Sequence, residues 1–333
     1  TNHFLGTLGV VPDGSARMRV RPTGAAGTDP GLVRIDHVEL ADGSRLEVDN
    51  EDNSSGGAYT ELQLDLVGTG DPLNPAVYAP TNHWGRSLNV ITGITDNGAG
   101  NTVTIGEDAV VREGLTRLDG PIGPGATAVN YGNQFGLWGG AEIDGHLVLA
   151  ASGDTGVPID GLVGTGKLTV EDGVVPSFDN GSGRDESLMA VDLDWQNTGT
   201  TITVSTDYGF GKITSVNDLV VGNGVTANLT PKGGVVQHSE VTGLNLGTGA
   251  TLDMHTNNMS IDYSGGSTPL PQIEAWRTGG QILHHTEPHR VWAAYDDTSA
   301  QVVSFGYAAW GDSNVNGLFD AQDRALMAIT KYN

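Results

Sequence analysis

The segments Gly222–Leu229 (GNGVTANL) and Gly247–Met254 (GTGATLDM) lie 25 residues apart and share a Gly-x-Gly corner before a short strand-like run. A similar corner precedes Lys167–Val170. Glycine supplies the corner dihedral angles that other residues resist, and one turn of a β-solenoid buries its inward Val and Leu only when the next turn stacks on it. The pattern therefore predicts an all-β chain built as a β-solenoid, similar to a parallel β-helix. The alternative is an antiparallel β-sandwich or jelly roll with Gly turns.

Alternating apolar and polar residues extend the β prediction towards the N-terminus. Three runs show the period-two pattern of strands: Ala16–Val20, Val33–Leu40 and Thr60–Leu66. The polar, Pro-rich residues 68–86 predict a long loop instead. The Gly- and aromatic-rich residues 119–140 predict a tightly packed corner, because Gly beside aromatic residues marks close backbone approach. The alternative is a surface loop on which sugars stack. We also expect a domain sub-boundary near this corner.

The patterns predict three regions along the chain. Residues 1–265 form a β-repeat body. Residues 266–310 form a connecting segment, with a short helix at Pro269–Thr278 and an edge strand at Val302–Ala308. Residues 311–333 form a terminal module with a calcium loop and a short helix.

The composition narrows the classes of partner. The chain has 333 residues, of which 40 are acidic and 16 are basic, for a net charge of -24. Because phosphate binding needs a basic face, no nucleic-acid partner is expected. No apolar run reaches the ~18 residues of a membrane helix, so no membrane span is expected. The chain has no Cys, which excludes disulfides and thiolate metal sites.

The twelve residues Asp312–Asp323 (DSNVNGLFDAQD) have the spacing of a calcium loop. Oxygen-bearing side chains fall at the first, third, fifth, ninth and twelfth positions, Gly317 occupies the sharp turn, and the seventh residue offers its carbonyl. The predicted metal ligands are Asp312, Asn314, Asn316, Leu318, Asp320 and Asp323. The alternative interpretation is an Asx-rich turn that caps a terminal helix.

This loop resembles the calcium repeat of dockerin modules, since it closes with Asp323 rather than Glu and is followed by RALMAITKY. The resemblance implies calcium (Ca2+) as the bound ion. Dockerin modules carry two such repeats and this chain shows one. The resemblance therefore does not extend to cohesin docking, which uses the duplicated module.

The residues Leu244–Asn333 as a whole resemble the C-terminal ends of large secreted, autotransporter-like β-repeat surface proteins of planctomycete-type bacteria. The resemblance rests on the rung-like Leu244–Tyr263, the helix at Pro269–Thr278 and the strand that runs into the calcium loop. It implies export and an extracellular or cell-surface location, and it implies no reaction. A start at Thr1 rather than Met is compatible with removal of an export signal.

Together these features predict a secreted, calcium-binding structural protein, not an enzyme. It would be an extracellular filament or surface-layer subunit, or an adhesin. Exposed sheet edges and solenoid ends offer backbone groups for strand addition, which predicts self-association into a homopolymer. An extracellular polysaccharide is a second expected partner.

Two constellations keep other chemistry open. Asp192 and Asp194 share a strand face about 6.5–7 Å apart, a spacing that suits the acid and base of an inverting glycosidase. The alternative function is therefore a carbohydrate-active β-helix enzyme or a carbohydrate-binding protein. The run Leu283–His289 (LHHTEPH) holds three His, the commonest zinc and copper ligand. Because adjacent His284 and His285 would point apart on a strand, a solvated loop is the favoured interpretation of this run.

Overall fold

The described part of the chain is almost entirely β-structure. A computed structural model describes residues 2–12, 14–20, 31–41, 43–51, 60–68, 76–83, 88–96, 102–105, 115–118, 127–130, 135–136, 142–150, 158–181, 183, 185–232, 235–285, 290–309 and 312–315. Over these residues the chain forms a β-solenoid with one α-helix. The predicted solenoid is confirmed, and the parallel pairing of its strands excludes the antiparallel sandwich.

The chain divides into two compact units, Thr1–Ser177 and Phe178–Asn333. No sequence pattern described above predicts a boundary at this position. The predicted three-region division, with its sub-boundary near 119–140, stays a prediction.

In the first unit, each strand pairs with the second strand along the chain. The strands are β1 (Asn2–Val10), β2 (Ser15–Val20), β3 (Gly31–Leu40), β4 (Arg45–Glu51), β5 (Thr60–Gly68), β6 (Ala76–His83), β7 (Leu88–Asp96), β8 (Thr102–Ile105), β9 (Leu115–Leu118), β10 (Thr127–Asn130), β11 (Phe135–Gly136), β12 (His146–Leu149), β13 (Pro158–Asp160) and β14 (Lys167–Val170). The odd-numbered strands from β1 to β11 form one parallel sheet, and the even-numbered strands from β2 to β14 run side by side in another. Each turn from β1 to β12 therefore contributes one strand to each of two sheets.

In this unit the strand register aligns apolar residues of successive turns with one another. Leu8, Val38, Leu66 and Ile94 occupy matching positions on β1, β3, β5 and β7. Val38 is fully buried. The alternation seen in the sequence therefore places an apolar column in register from one turn to the next.

The prediction of a loop for residues 68–86 is wrong for Ala76–His83, which form β6. This strand pairs in parallel with β4 and with β8. Pro80 lies opposite Val48 of β4, while the pairing with β8 stops at Tyr78. The missing N–H of Pro80 is therefore tolerated, because at that point the strand pairs with β4 alone among the described strands.

The second unit takes three strands for each turn. Its elements are β15 (Ser177–Asp179), a short 3-10 turn (Glu186–Leu188), β16 (Asp192–Trp195), β17 (Ile202–Val204), β18 (Tyr208–Phe210), β19 (Ile213–Ser215), β20 (Leu219–Val221), β21 (Thr226–Leu229), β22 (His238–Val241), β23 (Leu244–Leu246), β24 (Thr251–Asp253), β25 (Asn258–Asp262), α1 (Leu270–Thr278), β26 (Ile282–Leu283), β27 (Arg290–Asp297) and β28 (Val302–Ala309). From β16 to β25, strands three apart pair in parallel, as β16 with β19, β17 with β20 and β18 with β21. The chain thus visits three sheets in rotation.

The two Gly-x-Gly segments lie one solenoid turn apart, as the sequence predicts. Thr226 pairs with Thr251 in parallel register, so this turn takes 25 residues. Gly224 and Gly249 have φ angles of 68° and 69°, in the left-handed region that glycine adopts without strain. A Cβ at either position would meet nothing within 4 Å, so backbone conformation rather than space selects glycine there.

The turns of this unit are not equal in length. Leu193 pairs with Ile213, Thr214 with Glu240 and Leu252 with Ile282, so these turns take 20, 26 and 30 residues. The extra residues lie between strands, at the corners, and the longest turn contains α1. The strands keep their register while the corners vary.

The interior of the second unit is filled from alternate strand positions. In β16, Leu193 and Trp195 are buried while their neighbours are partly exposed. Trp195 belongs to a buried aromatic group with Phe178, Tyr208 and Phe210, whose ring centroids lie 5.0 to 6.4 Å apart. Several of these pairs meet edge to face or tilted, the arrangement that aromatic quadrupoles favour.

An antiparallel hairpin covers the last parallel turn of one sheet. β28 pairs with β25 on one side and with β27 on the other, both in antiparallel register. The buried side chain of Asn258 joins the three parts: its Oδ1 accepts the Tyr307 N–H at 2.8 Å, and its Nδ2 donates to the Val315 carbonyl at 3.2 Å. We call β27, β28 and the residues they cover the cap.

The helix α1 contacts the cap through Trp292. It begins at Leu270 after Pro269 and ends at Thr278, close to the predicted Pro269–Thr278. Glu274 accepts a hydrogen bond from the indole N–H of Trp292 on β27 at 3.2 Å, and Arg277 lies over the same ring at 5.7 Å. The strand predicted at Val302–Ala308 is present as β28, and β27 is the outermost described strand of the sheet.

Replacing Gly306 with Ala should destabilise the cap strongly. Gly306 lies opposite Asn258 with φ 142°, and an added Cβ would come within 2.6 to 2.8 Å of Asn258 and of the Asn257 carbonyl. We expect the free energy of unfolding to fall by about 3 kcal/mol, measured by urea denaturation. Gly249→Ala is the matched control: its space is open, so only the left-handed backbone should cost about 1 kcal/mol. Equal losses in both variants would contradict this account of the cap.

Candidate functional site

The first two predicted calcium ligands lie buried directly after the cap hairpin. Asp312 is 4% exposed and Asn314 is 8% exposed. Val315 follows them, fully buried, with a φ of 58° that is unusual for a β-branched residue. Its carbonyl accepts the hydrogen bond from Asn258, so the start of the loop is fastened to the last parallel turn.

The donor chemistry of this pair fits a hard cation. Asp312 and Asn314 bring side-chain oxygens at alternate positions of a tight bend, the arrangement with which calcium loops collect their ligands. The other predicted ligands lie outside the described residues; they are Asn316, Leu318, Asp320 and Asp323. The structure therefore describes only the first four residues of the predicted loop, 312–315, and the geometry of its ligands stays a prediction.

A second cluster of metal-ligating side chains lies on two consecutive turns of the same unit. Asp253, His255 and His285 each offer one ligand atom, and these atoms lie within 4.8 Å of one another. His285 Nε2 is 3.1 Å from Asp253 Oδ2, and His255 Nε2 is 3.9 Å from the same oxygen. The two imidazole rings stack with centroids 4.3 Å apart and planes 11° from parallel.

Strand register brings this cluster together. Asp253 on β24 pairs with Leu283 on β26, and the His285 N–H donates to the His255 carbonyl at 3.1 Å, which continues the ladder by two residues. The sequence patterns do not predict this cluster, because α1 separates the two turns along the chain. Aligning Leu252–His255 (LDMH) beneath Ile282–His285 (ILHH) is the signal that would have revealed it.

The turn that carries His255 is held in a special conformation. Asp253 Oδ1 accepts the backbone N–H of His255 at 3.0 Å, and His255 has a φ of 48°. Burial is the main influence on the pKa of His255 and lowers it; the Asp253 carboxylate raises it and His285 lowers it, and the net change is downward. The imidazole is therefore neutral near pH 7 and has a lone pair to offer.

His284 faces away from this cluster, as expected for adjacent residues of a strand. Its ring lies 5.6 Å from Trp292 and 5.0 Å from Tyr307, inside the cap. Burial lowers the pKa of His284, and the Arg277 and His285 charges lower it further against a smaller opposing effect of Asp253. His289, the third imidazole of the run, lies outside the described residues.

The carboxylate pair considered for glycoside hydrolysis has partners within the protein. Asp192 Oδ1 is 2.9 Å from Lys232 Nζ and accepts the Lys212 N–H at 2.9 Å. Asp194 Oδ2 accepts a hydrogen bond from Gln196 at 3.1 Å. These contacts tie the solenoid surface together, and catalysis by the pair stays a prediction.

A groove of about 490 Å³ lies where β19, β22 and β25 end. Its lining consists of hydroxyl, carboxylate and aliphatic side chains; the lining residues are Ser215, Val216, Glu240, Val241, Thr242, Ser260, Asp262 and Val302. A polysaccharide partner stays a prediction, and this groove is one place on the described part of the chain to look for it.

Among the described residues, no helix is long and apolar enough to cross a bilayer. The chain matches no protein-family model, and neither the curated proteins nor the solved structures contain a match to it.

Proposed function

We propose that this chain is a secreted structural protein, a calcium-stabilised β-solenoid that serves as an extracellular filament or surface-layer subunit or as an adhesin. The observation that carries the proposal is the burial of Asp312 and Asn314 immediately after β28. An ion held by this loop would fix the end of the hairpin that covers the last parallel turn. Calcium would thus act on the stability of the scaffold rather than on a reaction.

The charge of the protein favours such an ion. The net charge of -24 destabilises a compact chain by self-repulsion, and bound divalent cations offset it. For a single calcium loop we expect a dissociation constant in the range of extracellular calcium modules, about 10⁻⁴ to 10⁻³ M. The loop would then be occupied only where the calcium concentration is high. The extracellular location itself rests on the resemblance of Leu244–Asn333 to secreted surface proteins.

The exposed edge of the cap supports self-association. β27 has eight residues and, among the described strands, pairs with β28 alone. Strand addition by a second chain would therefore use the other side of its backbone. Val291 on this strand is 50% exposed. A second chain that adds a strand here would extend the sheet into a homopolymer.

Calcium should stabilise the folded chain through the predicted loop. At a Ca2+ concentration 100 times its dissociation constant, the free energy of unfolding should rise by about 2.7 kcal/mol, and EDTA should remove the gain. Asp323→Ala removes the predicted closing ligand and should abolish most of this gain, read as a shift in melting temperature by calorimetry. Glu142→Ala, which removes an exposed acid from the first unit, should keep the full shift. If neither Ca2+ nor EDTA changes the melting temperature of the wild-type chain, the proposal is ruled out.

Self-association should depend on the β27 edge. In Ca2+ we expect the wild-type chain to sediment as a concentration-dependent oligomer and to return to the monomer in EDTA. Val291→Lys places a charge on the open strand and should lower the oligomer fraction several-fold. Val235→Lys, at a 65% exposed position elsewhere in the unit, is the matched control and should not. If the wild-type chain stays monomeric in Ca2+ at every protein concentration, the filament hypothesis is excluded and the adhesin hypothesis remains.

A further inference from the structure

From the placement of Asp253, His255 and His285 we infer that these three residues form a binding site for a divalent metal ion of the zinc, copper and nickel group. The inference stands apart from the calcium loop and does not depend on the proposed function. Its ligand set is two imidazole nitrogens and one carboxylate oxygen, which suits zinc, copper or nickel. Calcium requires six to eight oxygens, and this cluster offers too few for it.

The distances need little change to hold an ion. Zinc lies about 2.0–2.2 Å from nitrogen and carboxylate ligands, so ligand atoms of a tetrahedral site are about 3.4 Å apart. His285 Nε2 and Asp253 Oδ2 are already 3.1 Å apart. His255 Nε2 must close from 3.9 Å by a few tenths of an ångström relative to the same oxygen. An imidazole binds a metal ion in the plane of its ring, so the two stacked rings, whose planes are 11° from parallel, must rotate about their Cβ–Cγ bonds until both lone pairs converge on the ion.

The surrounding contacts orient the ligands before an ion arrives. One oxygen of Asp253 accepts the His255 N–H, which turns the other oxygen towards the imidazoles. The turn that follows is closed by the Asn257 N–H, which donates to the Met254 carbonyl at 2.8 Å. The Asn257 side chain is fully buried and donates to the Leu229 carbonyl on the preceding turn at 2.7 Å. The hydrogen bond from His255 to Asp253 is of the kind that fixes ligand orientation in metal sites, and the Asn257 contacts hold the turn that follows it.

The left-handed backbone of His255 adds to the case. A φ of 48° costs energy for a residue with a Cβ, and such strain persists only where the surroundings enforce it. Here it presents the imidazole to its partner on the next turn.

The site is open enough for an ion to enter and to keep an exchangeable position. The side chains of Asp253, His255 and His285 are 15%, 21% and 58% exposed. Three protein ligands leave the fourth position of a zinc site for water or for a group from a partner molecule. Binding would replace the direct contact between His285 Nε2 and Asp253 Oδ2 with a bond from each atom to the ion.

Calorimetric titration of zinc chloride tests the inference. The full chain is stripped with EDTA, dialysed into calcium chloride and then titrated, so that the calcium loop is already saturated. We expect one zinc per chain, with at least a tenfold loss of affinity in His285→Ala and in Asp253→Asn. The second variant keeps an acceptor for the His255 N–H and removes the ligand charge.

Two controls separate this site from the rest of the chain. His284→Phe removes the neighbouring imidazole but keeps an aromatic ring beside Trp292 and Tyr307, so zinc affinity should be unchanged. Asp323→Ala disables the predicted calcium loop and should also leave zinc affinity unchanged. Should zinc affinity fall with Asp323→Ala and persist in His285→Ala, the ion would belong to the terminal loop and the inference would be overturned.

Electron paramagnetic resonance of the Cu2+-loaded wild-type chain gives a test that needs no variant. The nitrogen coupling should report two coordinated imidazoles. A spectrum with one or no imidazole, or a wild-type chain that binds no zinc, would overturn the assignment.

Discussion

The side-chain amides of Asn257 and Asn258 connect the last parallel turn of the solenoid to the turn before it and to the cap that covers it. A stack of parallel strands ends in an unpaired edge, and that edge must be covered or it will pair with another chain. Asn257 reaches back to the Leu229 carbonyl and accepts the Gln237 N–H, while Asn258 reaches forward to Tyr307 and Val315. Because both side chains are fully buried, each lost partner would leave a polar group without solvent to replace it. These two residues therefore couple the repeat, the cap and the start of the terminal loop.

The sequence predicted the repeat well where its corners are regular. The 25-residue spacing of the Gly-x-Gly segments is the register offset between Thr226 and Thr251. It predicted poorly where pairing overrides local chemistry: β6 forms within a Pro-rich polar run, because β4 and β8 lie on either side of it. Local propensity carries no information about such long-range neighbours.

The Asp253, His255 and His285 cluster shows the same limit at a site. Its members are close only because β24 and β26 pair across a turn of 30 residues that contains a helix. No motif spacing along the chain records that pairing. The terminal loop is the opposite case, since all its predicted ligands lie within twelve residues and the spacing itself is the signal.

Part of the acidic character of the chain has a structural use that composition alone does not reveal. Asp144, Asp207 and Asn223 each accept a backbone N–H from a residue one turn further along, at 2.7 to 3.0 Å. Asp218 likewise accepts the Thr242 hydroxyl. Carboxylates and amides at the corners thus tie neighbouring turns together through direct hydrogen bonds.

The uneven turns carry an implication for how such a chain changes over time. Six more residues fit between β21 and β22 than between β18 and β19, and α1 fits between β25 and β26, while every strand keeps its partner. Insertions at corners are therefore decoupled from the hydrogen-bonded ladders. A scaffold of this kind can acquire, lose or exchange surface segments by recombination, and foreign peptides grafted at those corners would be displayed without disturbing the folded interior.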